Sequence, residues 1–127
     1  MHFENMSVRV LIADDHRLFA EALRAILSAD ERIEVVGLAA DGEEAVRRAD
    51  ELHPDVVLMD ISMPGVDGIE ATRRIRTSQP DSQVLIVTGS DARQDVDAAR
   101  TAGAAGYVTK DRIAAELIGA IFEVADD

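Results

Sequence analysis

Five side chains that could do chemistry stand at or near the ends of apolar segments. Asp14 and Asp15 follow the first run, Asp60 follows a second, and Thr88 and Lys110 follow two more. A buried carboxylate without a partner costs several kcal/mol, so Asp60, at the end of an apolar run, requires compensating groups nearby. These five residues are therefore the candidates for a site.

The chemistry that fits these residues is phosphoryl transfer to a carboxylate. Three carboxylates about 4 Å apart would repel by about 4 kcal/mol per pair at an effective dielectric constant near 20, against a stability of ~5–15 kcal/mol for a small domain. Lys110 offsets one charge, and a divalent cation held by oxygen ligands, Mg²⁺ or Mn²⁺, is expected to offset the rest. Asp60 could then attack phosphorus while the cation, Lys110 and Thr88 stabilise the charge on the phosphoryl oxygens.

The apolar runs are spaced like the strands of an alternating βα protein. Predicted strands begin at Val8, Ile33, Val56, Val84 and Ala105, roughly 21 to 28 residues apart, which is one strand plus a crossover helix. The pattern predicts an α/β fold, a (βα)5 doubly wound sandwich with helices on both faces of a five-stranded parallel sheet. In the flavodoxin-like order 2-1-3-4-5 the first and third strands are neighbours, so their acidic ends converge where such sheets bind ligands.

The segment after the first strand carries apolar residues at helical spacing. Phe19, Leu23, Ile26 and Leu27 predict a helix with one buried face. His16, which precedes them, is interpreted as a polar residue at the helix start rather than as a ligand or a phosphate donor.

Composition bounds the domain organisation and the partners. The 127 residues, 47% of them hydrophobic, predict one globular domain over residues 8–125, a disordered leader over residues 1–7 and no second domain in this chain. The formal charge of -12 argues against DNA contact by this domain itself. The sequence has no cysteine, and no apolar run approaches the ~20 residues of a membrane span. We therefore expect a cytoplasmic protein without membrane contact.

Four motifs together resemble the receiver domain of bacterial response regulators, the CheY-like superfamily. The resemblance covers about residues 8–124, and the Asp-Asp-His start and Lys-Asp end are most similar to the NarL/FixJ branch of transcription regulators. The motifs are Ala13-Asp14-Asp15-His16, Leu58-Met59-Asp60-Ile61-Ser62-Met63-Pro64-Gly65, Val87-Thr88-Gly89-Ser90 and Gly103-Ala104-Ala105-Gly106-Tyr107-Val108-Thr109-Lys110.

The resemblance implies a function in two-component signal transduction. It implies that Asp60 takes phosphate from a sensor histidine kinase, and that Asp14, Asp15, Asp60 and the main-chain carbonyl of Ser62 bind Mg²⁺. Such a domain is a phosphoryl acceptor with self-catalysed transfer and autodephosphorylation, not a turnover enzyme. The implied output is homodimerisation or effector control, with DNA bound only through a helix-turn-helix domain that is absent from this chain.

The resemblance also implies a switch at Thr88 and Tyr107, which would shift on phosphorylation. The alternative for Tyr107 is a ring packed on the edge of the sheet. Lys110 is followed by Asp111 where many relatives have a proline after a cis bond, so the sequence leaves this peptide geometry open. Ser90 stands at a variable position that can influence loss of the phosphate, so the lifetime of the phosphorylated state is left open.

Other functions fit the sequence less well. A stand-alone receiver acting through protein contacts is one alternative, and an inactive receiver is disfavoured because no key residue is missing. A phosphatase of the haloacid dehalogenase type would place a second Asp two residues after the nucleophile, where this chain has Ser62. A flavin carrier is disfavoured by a content of three Phe, one Tyr and no Trp.

Overall fold

The computed structural model describes residues 7–126, in which five parallel strands form one sheet of order β2-β1-β3-β4-β5. This confirms the predicted α/β topology. The strands are β1 (Val8–Ala13), β2 (Ile33–Ala39), β3 (Val56–Met59), β4 (Gln83–Thr88) and β5 (Gly106–Thr109). The helices are α1 (Arg17–Ser28), α2 (Gly42–Leu52), α3 (Gly68–Ser78), α4 (Arg93–Ala102) and α5 (Ile113–Ala125), and a single 3-10 turn (Lys110–Arg112) precedes α5.

The predicted leader, residues 1–7, lies outside the described residues except for Ser7, which directly precedes β1. The boundaries proposed for the domain and the absence of a second one stay predictions. Within residues 7–126 no helix has both the length and the apolar character needed to cross a bilayer.

Helices cover both faces of the sheet, and the strands contribute to two core layers. Val10 and Ile12 of β1 pack with the buried residues of α1 and α5, whereas Leu11 and Ala13 pack with those of α2, α3 and α4. This division follows from the strand geometry, since successive side chains point to opposite faces. The second layer is lined by small helical residues, namely Ala45, Ala49, Ala71 and Ala99.

The buried face of α1 is narrower than its sequence pattern predicts. Leu23 and Leu27 are fully buried, and Phe19 packs half-buried against the same core layer. Ile26, however, is 51% exposed. It lies about 100° around the helix from Leu27, which turns it away from the sheet. The prediction that Ile26 shares the buried face was wrong.

The start of α3 is held close to the end of β3. Asp67 caps the helix, its side chain accepting a hydrogen bond from the backbone N–H of Glu70 at 2.9 Å. At Gly68, the first helical residue, an added Cβ would lie 2.0 Å from the main-chain oxygen of Asp60. A glycine is therefore required for the chain to return so close to the strand end.

Candidate functional site

The register between β1 and β3 sets Asp14 beside Asp60. Ala13 pairs with Met59 in the parallel ladder, so the residues that follow them lie at the same level. The backbone N–H of Asp60 donates to the carbonyl of Ala13 at 3.0 Å. The two acidic residues are only 4% and 3% exposed. The predicted convergence of the first and third strand ends is therefore present.

Asp15 and His16 extend this pair into a cluster. One potential ligand atom from each of Asp14, Asp15, His16 and Asp60 lies within 4.8 Å of all the others. His16 is the N-cap residue of α1 but makes no capping bond through its side chain. Its Nδ1 lies 3.3 Å from Asp14 Oδ1 and 3.4 Å from Asp15 Oδ1. Asp15 and His16 are exposed, so the cluster opens to solvent on this side.

Lys110 brings one positive charge to the buried carboxylates. Its Nζ lies 2.9 Å from Asp14 Oδ2 and 3.6 Å from Asp60 Oδ2. The same nitrogen lies 4.2 Å from the centroid of the Phe19 ring. The described residues contain no cis peptide bond, so the bond between Lys110 and Asp111 is trans. The cluster thus has one ammonium for three carboxylates, which leaves an excess of negative charge at the site.

Thr88 and Ser62 complete the set of residues predicted for the site. Thr88 ends β4 and is 1% exposed. Because Met59 pairs with Ile86, Thr88 lies one residue beyond the level of Asp60 on the neighbouring strand. The backbone N–H of Ser62 is 3.5 Å from Asp60 Oδ1, a long contact at the margin of a hydrogen bond.

Tyr107 links β5 to the loop after β4. Its hydroxyl donates to the carbonyl of Ser90 at 2.7 Å, and the Ser90 hydroxyl donates to Asp95 Oδ2 at 2.5 Å. Burial raises the pKa of the Tyr107 phenol above its ordinary value of 10.0; the bond to Ser90 opposes this, while the charges of Asp95, Asp91 and Asp60 add to it. The ring therefore lies on the outer strand of the sheet and also contacts the loop that follows Thr88.

The sequence pattern did not indicate two residues that shape the site. Phe19 was interpreted only as part of the buried face of α1, yet its ring lies against Lys110. No local pattern indicated this contact, because Lys110 is distant from Phe19 in the sequence. The second residue is Gly68, and the glycine directly after the capping Asp67 was the available signal for a close backbone approach.

The sequence model described as "Response regulator receiver domain" matches residues 10–122. The chain belongs to this family. Among its relatives, the response regulator GacA of Pseudomonas aeruginosa is 44% identical over 117 residues, covering 92% of this chain and 55% of that protein. The transcriptional regulatory protein LiaR of Bacillus subtilis is 45% identical over 114 residues, covering 90% of this chain and 54% of that protein. The receiver domain thus spans about half the length of the curated relatives it matches.

Solved structures of other receiver domains superpose closely on this one. The signal receiver domain assigned to NarL of Mycobacterium tuberculosis has a TM-score of 0.90 and 36% identity, covering 95% of this chain and 98% of that chain. A LuxR-family two-component response regulator from Aurantimonas sp. SI85-9A1 has a TM-score of 0.90 and 39% identity, covering 94% and 86%. These likenesses confirm the predicted fold and the NarL/FixJ-type branch. The chain is a receiver domain of two-component response regulators, related to transcription regulators.

Proposed function

We propose that this receiver domain accepts a phosphoryl group on Asp60 from a sensor histidine kinase. The observation that carries the proposal is a buried carboxylate at a strand end with a lysine ammonium 3.6 Å away. One carboxylate oxygen of Asp60 forms a bond to phosphorus. The bond from phosphorus to the imidazole nitrogen of the donor breaks, and its electron pair stays on that nitrogen. The product is an aspartyl phosphate, and the protein is the acceptor rather than a turnover enzyme.

Lys110 and Thr88 are the proposed partners of the phosphoryl oxygens. The ammonium already lies between Asp14 and Asp60, so it needs little movement to neutralise an oxygen bonded to the phosphorus on Asp60. The Thr88 hydroxyl is buried at the end of the adjacent strand and can donate a hydrogen bond there. Both groups therefore act at the phosphoryl oxygens, where negative charge accumulates during the transfer.

Asp14, Asp15, Asp60 and the main-chain carbonyl of Ser62 are proposed to hold Mg²⁺, or Mn²⁺ in its place. The donor set fits such an ion, because hard carboxylate oxygens cluster within 4.8 Å and Lys110 balances only one of three charges. A bound divalent cation supplies charge neutralisation for the phosphoryl oxygens. Asp15 and His16 leave the cluster open to solvent, so the cation and the donor can approach from that side.

The proposed output is a change of surface on the Thr88 and Tyr107 side. The hydrogen bond from Tyr107 to Ser90 joins β5 to the loop that follows Thr88. Displacement of Thr88 towards a phosphoryl group would therefore move this loop and change its contact with Tyr107. We propose that this change promotes homodimerisation or control of an effector, and that autodephosphorylation reverses it. Regulation of transcription would need a further, DNA-binding domain, as the greater length of the relatives suggests. A cytoplasmic location stays a prediction.

Asp60→Asn tests the proposal directly. With Mg²⁺ and acetyl phosphate, the wild type should gain one acid-labile phosphoryl group in intact-mass spectra, and Asp60→Asn should gain none because the amide is not a nucleophile. Asp67→Asn is the matched control, since it removes a carboxylate from the same loop while asparagine still caps α3. A wild type without adduct, or an equal adduct in Asp60→Asn, would contradict the proposal.

A further inference from the structure

The ring of Phe19 makes a cation–π contact with Lys110. The Nζ of Lys110 lies 4.2 Å from the ring centroid, well inside the roughly 6 Å over which a ring face attracts a cation. The same nitrogen lies 2.9 Å from Asp14 Oδ2 and 3.6 Å from Asp60 Oδ2. One aromatic face and two carboxylates therefore surround the ammonium.

The ring packs on the core, whereas the lysine that it contacts lies in a turn. Phe19 lies in the first turn of α1 and packs against the core layer formed with α5. Lys110 begins the 3-10 turn after β5, and its side chain is 24% exposed on a long, flexible stem. The core therefore fixes the ring, and the ring limits where the ammonium can go.

A ring suits this position better than a further acidic group. A fourth carboxylate beside Lys110 would add to the repulsion among Asp14, Asp15 and Asp60 and would repel an incoming phosphoryl donor. The face of a phenyl ring attracts the ammonium through its quadrupole and carries no net charge. A leucine of similar size would fill the space but would not attract the ammonium.

We propose that Phe19 is a positioning residue for phosphoryl transfer, its ring face holding the Lys110 ammonium beside Asp60. This inference rests on the proposed function, because the step it assists is the transfer to Asp60. Phe19 does not touch the phosphoryl group and acts through Lys110. Weakening the ring face should therefore slow the phosphorylation of Asp60 without abolishing it.

The test replaces Phe19 with phenylalanine analogues that carry one, two or three ring fluorines. Fluorine withdraws electron density from the ring face while the ring keeps nearly the same size, so the fold is retained. The initial rate of Asp60 phosphorylation by acetyl phosphate at fixed Mg²⁺ should fall stepwise, by about two- to five-fold over the series. Phe19→Leu should lose at least as much. A rate independent of fluorine number, in an active wild type, would overturn the inference and leave the proposed function intact.

Two controls distinguish an effect of the Phe19 ring on Lys110 from a general effect of fluorination on the protein. The first control is a Lys110→Ala background, which should still be phosphorylated slowly. In this background the phosphorylation rate should not depend on the number of fluorines on Phe19. A rate that still falls with fluorine number would show that the ring does not act through the lysine.

Phe122 supplies the matched control for the ring. Arg32 lies 4.2 Å from its ring centroid near the start of β2, at the opposite end of the strands from the site. Fluorination of Phe122 should leave the rate unchanged, and an equal loss there would count against the inference.

A second measurement needs no phosphorylation. In the metal-free, unphosphorylated protein, the side-chain methylene protons of Lys110 closest to the ammonium should resonate upfield of ordinary lysines because the Phe19 ring face shields them. In Phe19→Leu they should return to ordinary positions. Ordinary chemical shifts for these protons in the wild type would overturn the inference even if phosphorylation of Asp60 is observed. A wild type that acetyl phosphate does not phosphorylate would instead overturn the proposed function.

Discussion

Asp14 and Asp60 are buried side by side but have different partners. Asp14 accepts a hydrogen bond from the backbone N–H of His16 at 2.8 Å and forms an ion pair with Lys110 at 2.9 Å. Among residues 7–126, the side chain of Asp60 has only longer polar contacts, 3.6 Å to Lys110 and 3.5 Å to the N–H of Ser62. A less engaged carboxylate keeps its oxygen lone pairs available for attack, whereas the more engaged one anchors the ammonium. This difference supports Asp60, rather than Asp14, as the proposed acceptor.

Tyr107 can be titrated without interference, because the chain contains one tyrosine and no tryptophan. Its near-ultraviolet phenolate absorbance should report a pKa above 10.0, since burial disfavours the charged phenolate and nearby carboxylates repel it. The folded-state pKa is raised, so the phenol contributes stability below the unfolded value and this contribution is lost as the pH rises through the folded pKa. An observed pKa at or below the ordinary value would contradict the burial of this ring.

A variant pair tests how much the charge of Asp95 contributes to this raised pKa. Asp95→Asn should lower the pKa of Tyr107 towards its ordinary value, because it removes a charge that acts on the phenol. Asp97→Asn removes an exposed carboxylate from the same helix and should leave the pKa unchanged. If the two variants behave alike, the charge of Asp95 is not a cause of the shift.

The helix starts nearest the site differ in how they are stabilised. α3 is capped by Asp67, whereas α4 follows Ala92, which offers no side-chain cap. The Ser90 hydroxyl partly substitutes by accepting from the Ala92 N–H at 3.2 Å. A helix without a strong N-cap is less stable at its first turn. The first turns of α4 and of α1, whose N-cap residue His16 makes no side-chain capping bond either, are therefore less restrained than that of α3.

A pair of glycine substitutions tests how closely α3 must approach β3. Gly68→Ala should lower the free energy of unfolding by about 1–3 kcal/mol or more, because its Cβ would meet the main-chain oxygen of Asp60. Gly119→Ala, in α5 where an added Cβ meets nothing within 4 Å, should raise it by roughly 0.5–1 kcal/mol. Urea denaturation measures both changes. Equal effects of the two substitutions would show that the close approach at Gly68 does not constrain the loop.

The net charge of the whole molecule opposes binding to nucleic acid. A formal charge of -12 should repel the phosphate backbone, so this 127-residue chain should not bind duplex DNA even at low salt. Fluorescence anisotropy of a labelled duplex measures this across a salt series, before and after treatment with acetyl phosphate. A salt-sensitive rise in anisotropy would contradict the expectation that DNA contact belongs to another domain.

The sequence by itself determined the strands to within a residue and the residues at the strand ends, and the structure confirms the expected flavodoxin-like order. Strands buried on both faces are rich in apolar residues, and β1 and β3 begin at Val8 and Val56 as their patterns predict. The parallel order then requires Asp14 and Asp60 to meet, and the structure brings Asp15 and Lys110 to them. The metal, acceptor and switch roles of these residues stay predictions.

Only the tertiary structure decided which side chains contact each other across distant elements. Helical periodicity places Ile26 near the apolar face of α1, but the neighbouring elements determine how much of that face is covered, and they leave Ile26 exposed. The contact between Phe19 and Lys110 joins α1 to the turn after β5. The approach of Gly68 to Asp60 depends in the same way on where the chain returns. Local patterns specify a face and a strand end, whereas packing in three dimensions specifies the partner that each one meets.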